Sequence, residues 1–265
     1  MAGGLLSEST IKVRQKISAK KAVMLVGLPG VGFVSKLAVD SIAKQLNPTL
    51  FATLYSPHFP NQVLALPNGC LRPFTLKMYY ARVGETNLVL VRGGLQPLTV
   101  EGQYEVCGKL LDFFAGLGGA QVIAMAGYSS AKKTGKPRVY CAATTRKTLE
   151  EFTRLGALTP SAAVPIVGMA GLVPALAPLY GLKGACLLAE TSGAVLDAGA
   201  AAALIEIAGK KLKQKFDLKS LQSQARQAQK IVEQLEAQAR DEAARAGAAL
   251  AATEAQKRDN LSYIR

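Results

Sequence analysis

The residues best suited to chemistry lie near the amino terminus, in the segment VMLVGLPGVGFVSK at residues 23–36. Gly27, Gly30 and Gly32 follow an apolar run and precede a helical pattern. That is the layout of a loop that binds an anion with the backbone N–H groups of a helix N-terminus. A P-loop needs Gly-Lys-Ser/Thr at its end, where this chain has Gly-Phe-Val. The spacing G-x-x-G-x-G also differs from the dinucleotide fingerprint G-x-G-x-x-G. The segment is therefore either a candidate ligand loop or a tight turn that opens a helix.

The remaining reactive side chains do not assemble into a known catalytic set. His58 is the only histidine, so any Ser-His-Asp or Cys-His triad would have to use it. Glu190 follows an apolar run at a predicted strand end, where it is either a functional carboxylate or a partner for a lysine or a helix end. Glu101 and Glu105 lie one helical turn apart. We therefore expect no catalytic residue, no metal site and no cofactor.

The cysteines and a long uncharged stretch bear on where the protein is located. The four cysteines lie more than 30 residues apart with no Cys-x-x-Cys pair: Cys70, Cys107, Cys141 and Cys186. This spacing favours free thiols in a reducing cytoplasm. Residues 162–182 carry no charge and are long enough to cross a membrane, but prolines and glycines interrupt the run. They indicate strand, turn and short buried helix instead. We expect a cytoplasmic protein without a membrane segment or a signal peptide.

The net charge is strongly positive. The chain has 32 Lys and Arg against 18 Asp and Glu, a formal charge of +14. The densest basic clusters lie at 12–21, 132–138 and 210–219. No basic stripe alternates with aromatic residues and Trp is absent, so a platform for single-stranded nucleic acid is not indicated. An acidic protein surface is the favoured partner, and nucleic acid is disfavoured.

Strand-like and helix-like segments alternate from residue 22 to about 209. Buried strands are predicted at 22–27, 88–91, 121–126 and 185–189, extended segments at 50–55, 62–66, 74–80 and 138–142, and helices at 31–46, 101–117, 145–155 and 197–215. Apolar strands that alternate with helices indicate a parallel sheet covered on both faces. The segments around 62–92 indicate an antiparallel portion joined to it. We predict an α/β sandwich with a mainly parallel sheet, whose ligand or partner surfaces lie beyond the carboxyl ends of its strands.

The composition changes near residue 216, which divides the chain into three predicted parts. Residues 1–215 form the α/β domain, 216–258 a long helix and 259–265 a mobile tail. A seam at 4–3 spacing suggests a coiled coil: Leu221, Ala225, Ala228, Val232, Leu235 and Ala239. A long helix that packs on its own oligomer is the alternative. The tail contains Leu261, Tyr263, Ile264 and Arg265. Its aromatic and aliphatic side chains have no local core, so the tail is either a docking peptide or a frayed terminus.

Six short motifs in sequence order resemble the archaeal branch of the proteasome assembly chaperone family. They are GLPGVG at 27–32, YSPHFP at 55–60, QP at 96–97 with EGQYE at 101–105, PRVY at 137–140, GMAGL at 168–172, and ETSG at 190–193 with Asp197. The resemblance covers about residues 10–215. Each motif alone is short, and their common order carries the resemblance.

The resemblance implies a fold similar to purine nucleoside phosphorylases, used without known chemistry. It also implies homo-oligomers that associate with the 20S proteasome or a proteasomal ATPase through C-terminal tails. Such tails typically end hydrophobic–Tyr–any residue, whereas Tyr263 here is third from the end. The docking residues implied are Leu261, Tyr263, Ile264 and Arg265. The alternative is a phosphorylase-like or nucleotide-binding enzyme that uses the glycine loop (Gly27, Gly30, Gly32) and Glu190.

Overall fold

The protein is described from a computed structural model, which covers residues 7–129, 136–193, 196–223, 226 and 230. The chain divides into two units, Met1–Gln222 and Ser223–Arg265. The predicted seam beyond Leu221 and the predicted tail at 259–265 lie outside the described residues.

Ten strands and five α-helices make up the described part of the chain. The strands are β1 (Thr10–Val13), β2 (Ala22–Gly27), β3 (Thr49–Tyr55), β4 (Val63–Ala65), β5 (Leu71–Pro73), β6 (Leu76–Val83), β7 (Thr86–Gly93), β8 (Gly119–Ser129), β9 (Val139–Ala143) and β10 (Lys183–Thr191). The helices are α1 (Val34–Leu46), α2 (Val100–Gly116), α3 (Arg146–Arg154), α4 (Met169–Leu176) and α5 (Ala198–Leu212). Short 3-10 turns span Val31–Phe33 and Ala177–Tyr180.

Eight of these strands form one mixed sheet in the order β1-β3-β6-β7-β2-β8-β10-β9. The four central strands, β7, β2, β8 and β10, run parallel to one another. β1, β3 and β6 extend one side of the sheet by antiparallel pairing, and β9 closes the other side antiparallel to β10. β4 and β5 form a separate two-stranded hairpin. The predicted α/β class is confirmed, with a parallel central sheet and the antiparallel portion beside it.

Helices cover the two faces of the sheet, as the apolar strands require. α2 and α4 pack on one face, where Leu110 and Phe114 join the main core with Met24 and Val26. α1 and α5 pack against each other on the opposite side, α1 over β2, β7 and β8. Every residue of β2 is buried, which agrees with its apolar sequence.

Side-chain caps explain where three helices begin. The Thr99 hydroxyl accepts from the N–H of Gly102, the Thr145 hydroxyl from that of Thr148, and the Asp197 carboxylate from that of Ala200. Each cap satisfies a backbone donor that a helix start leaves without a partner. The helices predicted at 101–117, 145–155 and 197–215 are therefore present with small shifts at their ends.

Two stretches predicted to form regular structure are irregular. No strand forms within residues 159–168; this segment is irregular and leads into α4. Residues 214–218 are also irregular, and helical residues resume at Leu221. Phe216 and Leu221 are buried, and Gln45 exchanges hydrogen bonds with the backbone of Asp217 at 2.7 and 2.9 Å. Within the described ranges no helix is long and apolar enough to cross a membrane.

Candidate functional site

The glycine loop links β2 to α1 by close packing. A Cβ on Gly27 would lie 2.4 Å from the Cβ of Val39 and 2.9 Å from the carbonyl oxygen of Ser35, so only glycine lets the strand approach the helix. Gly32 has φ +62°, and a Cβ there would lie 2.9 Å from the hydroxyl of Thr191. Gly30 has open space around it. Two of the three glycines are therefore explained by packing and backbone conformation.

The residues after Glu190 fasten this loop to the end of β10. The Thr191 hydroxyl donates to Asp197 Oδ2 at 2.9 Å, and both residues are buried. The N–H of Asp197 donates to the carbonyl of Gly32 at 3.1 Å. Hydrogen bonds of the ETSG motif and Asp197 thus connect the glycine loop, the end of β10 and the start of α5.

Gln96 joins the glycine loop to a third motif. Its Nε2 donates to the carbonyl of Pro29 at 2.6 Å, and its Oε1 accepts from the N–H of Met169 at 3.0 Å. Gly168 has φ +81°, and a Cβ there would lie 2.9 Å from Oε1 of Gln96. Sequence reasoning gave Gln96 no role, because the bridge depends on residues more than 60 positions away.

His58 has a packing role at the start of α2. A Cβ on Gly102 would lie 2.4 Å from the Cβ of His58. The carbonyl of His58 accepts from the N–H of Leu98 at 3.1 Å. The YSPHFP loop therefore packs on the first turn of α2, which gives His58 a structural role.

A cleft of about 900 Å³ lies at this end of the sheet. Its walls are the glycine loop, residues 95–98, the end of β8 and residues 163–168. Val31, Leu98 and Val167 line it and are exposed, Val167 by 87%. An open cleft with apolar walls suits an apolar side chain or peptide segment better than a charged ligand.

Glu190 lies near the cleft but faces β9. It is 5% exposed, and its carboxylate accepts from Arg138 Nε at 3.0 Å and Arg138 Nη2 at 2.7 Å. The backbone N–H of Arg138 and the hydroxyl of Tyr140 add two further bonds of 3.2 Å each. The antiparallel register of β9 and β10 places these partners beside it.

These hydrogen bonds favour an ionised Glu190 and a neutral Tyr140. The side-chain hydrogen bond from Arg138 holds the pKa of Glu190 below its ordinary value, although burial acts in the opposite direction. Burial, and then the bond to Glu190, raise the pKa of Tyr140. An ionised carboxylate with four donors is a poor general acid at neutral pH. The geometry indicates an anchor for β9.

The predicted ligand-loop residues do not converge on one site. Gly30 lines the cleft, whereas Gly27, Gly32 and Glu190 are not among the described residues that line it. Glu105 accepts from the N–H of Ser9 at 2.9 Å and from its hydroxyl, and Glu101 is exposed. Burial raises the pKa of the Cys107, Cys141 and Cys186 thiols to about 12. The described residues contain no group of three metal-ligating side chains.

The predicted docking tail is not among the residues that the structure describes. Leu261, Tyr263, Ile264 and Arg265 lie outside the described residues. Their docking role therefore stays a prediction.

The fold and the site are those of a mixed α/β protein in which hydrogen bonds connect the glycine loop to Gln96 and Asp197 beside an apolar cleft. The chain belongs to the PAC2 family, with residues 24–236 matching that family. The sequence-based recognition of a proteasome assembly chaperone relative is confirmed. The family assignment also agrees with the expectation of a non-catalytic protein.

Similar proteins are known from several archaea. The structure is similar to that of Pyrococcus furiosus PbaB, described as an archaeal proteasome activator, with a TM-score of 0.78 and 32% identity over 86% of this chain and 99% of that one. Pyrococcus furiosus PbaA, described as an archaeal homolog of proteasome-assembly chaperone, has a TM-score of 0.73 at 24% identity over 87% of this chain and 97% of that one, which shows the fold alone. An uncharacterised protein of Methanocaldococcus jannaschii is 27% identical over 85% of this chain and 87% of its own length.

Proposed function

We propose that this chain is a non-catalytic chaperone or adaptor that oligomerises and docks on a 20S proteasome or a proteasomal ATPase through its C-terminal tail. The observation that carries the proposal is the 32% identity with a protein described as an archaeal proteasome activator, over 99% of that protein's chain. We also propose that the fold of this chain is similar to that of purine nucleoside phosphorylases, and that the protein acts in the cytoplasm.

The docking residues proposed are Leu261, Tyr263, Ile264 and Arg265. The apolar side chains of Leu261, Tyr263 and Ile264 would fill a pocket on the partner. The part of the predicted 216–258 helix that begins at Leu221, with its coiled-coil seam, would carry the tail.

Oligomerisation is supported by the β4–β5 hairpin. All six of its strand residues are exposed, and Leu71 is exposed by 71%. A two-stranded hairpin with exposed apolar side chains is marginally stable alone, so burial against another copy would stabilise it. Replacing Leu71 with lysine is expected to reduce the mass of the assembly measured by light scattering.

The enzyme alternative has less support from the geometry. Packing accounts for Gly27 and Gly32, and the carboxylate of Glu190 is held by Arg138 and Tyr140. A thermal-shift screen with phosphate, nucleosides and nucleotides tests this alternative. A melting temperature that rises with the concentration of one of these ligands, as specific binding to the folded state requires, would support a phosphorylase-like or nucleotide-binding function.

The test is a pull-down from native lysate with the full chain and with a variant that lacks residues 263–265. We expect the full chain to retain 20S particles or the ATPase, and the truncated chain to lose them. Ser262→Ala is the matched control, because it changes the tail without removing an apolar side chain. Equal retention by the truncated chain would refute tail docking, and the identity of the retained particle assigns the partner.

A further inference from the structure

One face of the outer strands carries polar side chains without a described helix packed over them. α1 packs over β2, β7 and β8, whereas the same side of β1, β3 and β6 presents residues such as exposed Lys12 and half-buried Lys77 and Tyr79. The opposite face of these strands packs into the main core through Leu54, Leu76 and similar residues. The polar face is therefore a surface of the protein.

A row of side chains crosses this face at one level of the sheet. Lys12 pairs with Thr53, Thr53 with Lys77, and Lys77 with Arg92 in the strand register. Residues directly opposite each other on neighbouring strands point to the same face. With strands about 4.8 Å apart, this cationic row (Lys12, Thr53, Lys77, Arg92) spans about 14 Å.

Only the Arg92 end of the row is paired with a carboxylate in the described part of the protein. Asp40 on α1 pairs with Arg92 at 2.6 Å and with Lys36 at 2.7 Å. Among the described residues, neither Lys12 nor Lys77 has an ion-pair partner, and the same holds for the flanking Arg14 and Arg72.

Two observations show that the row is unfavourable as it stands. Burial, and then the charges of Arg72, Arg14 and Arg92, lower the pKa of Lys77. The Thr53 hydroxyl, between Lys12 and Lys77, is buried and has no hydrogen-bond partner among the described residues. Like charges side by side and an unpaired buried hydroxyl both destabilise a fold, and an added anion would relieve both.

We propose that the cationic row is a docking surface for an acidic protein segment. A carboxylate between Lys12 and Lys77 would offset their repulsion and can accept a hydrogen bond from the Thr53 hydroxyl. Further carboxylates of the segment would reach Arg14 and Arg72. This surface goes beyond the proposed tail docking, because it uses the α/β body and needs no residue of the tail.

An acidic segment fits this face better than a nucleic acid does. Single-stranded nucleic acids bind proteins through aromatic rings on which bases stack. The Tyr79 ring is covered by the Arg92 guanidinium, 5.2 Å from the ring centroid, so that face of the ring is not free for a base. Carboxylates need only the lysine and arginine donors that the row supplies.

The test is fluorescence anisotropy of a labelled poly-glutamate peptide with the full chain at low ionic strength. Lys12→Gln/Lys77→Gln is expected to weaken binding about tenfold, because two close charge contacts are lost. Lys147→Gln/Lys183→Gln is the matched control: it removes the same charge from exposed residues in α3 and at the start of β10, and less than about a twofold change is expected.

Three results would overturn the proposal. Equal weakening in both double variants would mean that only net charge attracts the peptide. Tighter binding of a labelled oligothymidylate, with the same loss in the Lys12/Lys77 variant, would make the row a nucleic-acid surface. A change of assembly mass in that variant would make the row an interface between copies. Thermal unfolding checks that both variants fold.

Discussion

Replacing Gly27 with alanine tests whether the glycine loop is a packing device. The new Cβ would lie 2.4 Å from the Val39 Cβ and 2.9 Å from the Ser35 carbonyl oxygen. Both atoms are fixed to the backbone of α1, so relief requires the helix to move away from β2. Overpacking of this kind costs about 3 kcal/mol. For a body of this size we expect the Tm to fall by about 6–12 °C.

Gly30→Ala is the matched control in the same loop. No atom lies within 4 Å of a Cβ at residue 30, and its φ of −167° is extended backbone that any residue adopts. Thermal unfolding followed by circular dichroism is expected to change by less than about 2 °C. A loss as large as that of Gly27→Ala would refute the packing argument. So would a phosphate-induced rise in Tm that wild type shows and Gly30→Ala lacks.

Three further predictions concern charge and thiols. Glu190→Gln should lower the Tm at pH 7, because the hydrogen bonds from Arg138 depress the pKa of Glu190 and its charged form therefore stabilises the fold. That contribution is lost as pH falls below the ordinary glutamate pKa of 4.5 and through the lower folded-state pKa, so the two Tm values should converge in acid, and a constant gap would contradict this. Lys77→Gln should raise the Tm at pH 7, because the lowered pKa of Lys77 means that its positive charge destabilises the fold. The gain in Tm should vanish as pH rises past the ordinary lysine pKa of 10.5, where the side chain is neutral in both the folded and the unfolded protein. A lower Tm of the variant at pH 7 would contradict a destabilising charge on Lys77. A thiol reagent at pH 8 should modify Cys70 rapidly in the native protein and the three buried cysteines only after denaturation; rapid modification of all four would refute their burial.

The sequence was informative where a signal is local. The apolar runs of the buried strands and the glycine turn are signals that act within a few positions. For this reason the α/β class and the order of most elements could be predicted. β1 was missed because Thr10–Val13 is a short, largely exposed strand that exists through pairing with β3, about 40 residues later.

Contacts between distant residues explain what the sequence could not supply. Glu190 is held by Arg138, 52 positions earlier, so its neighbours in sequence do not distinguish an anchor from a catalytic carboxylate. The pattern of residues 162–182 predicts a strand, a turn and a short buried helix. The helix is present as α4, whereas residues 163–168 form no strand and are a wall of the cleft. The cationic row depends on the register of four strands and has no signature in one stretch of sequence.

The central claim is docking on a proteasome particle through the tail, and a binding measurement with purified components tests it most directly. Biolayer interferometry with immobilised 20S particles would compare the full chain, the chain without residues 263–265, and Ser262→Ala. We predict saturable binding by the full chain and by Ser262→Ala, and none by the truncated chain. Binding of the truncated chain with unchanged affinity would contradict the account.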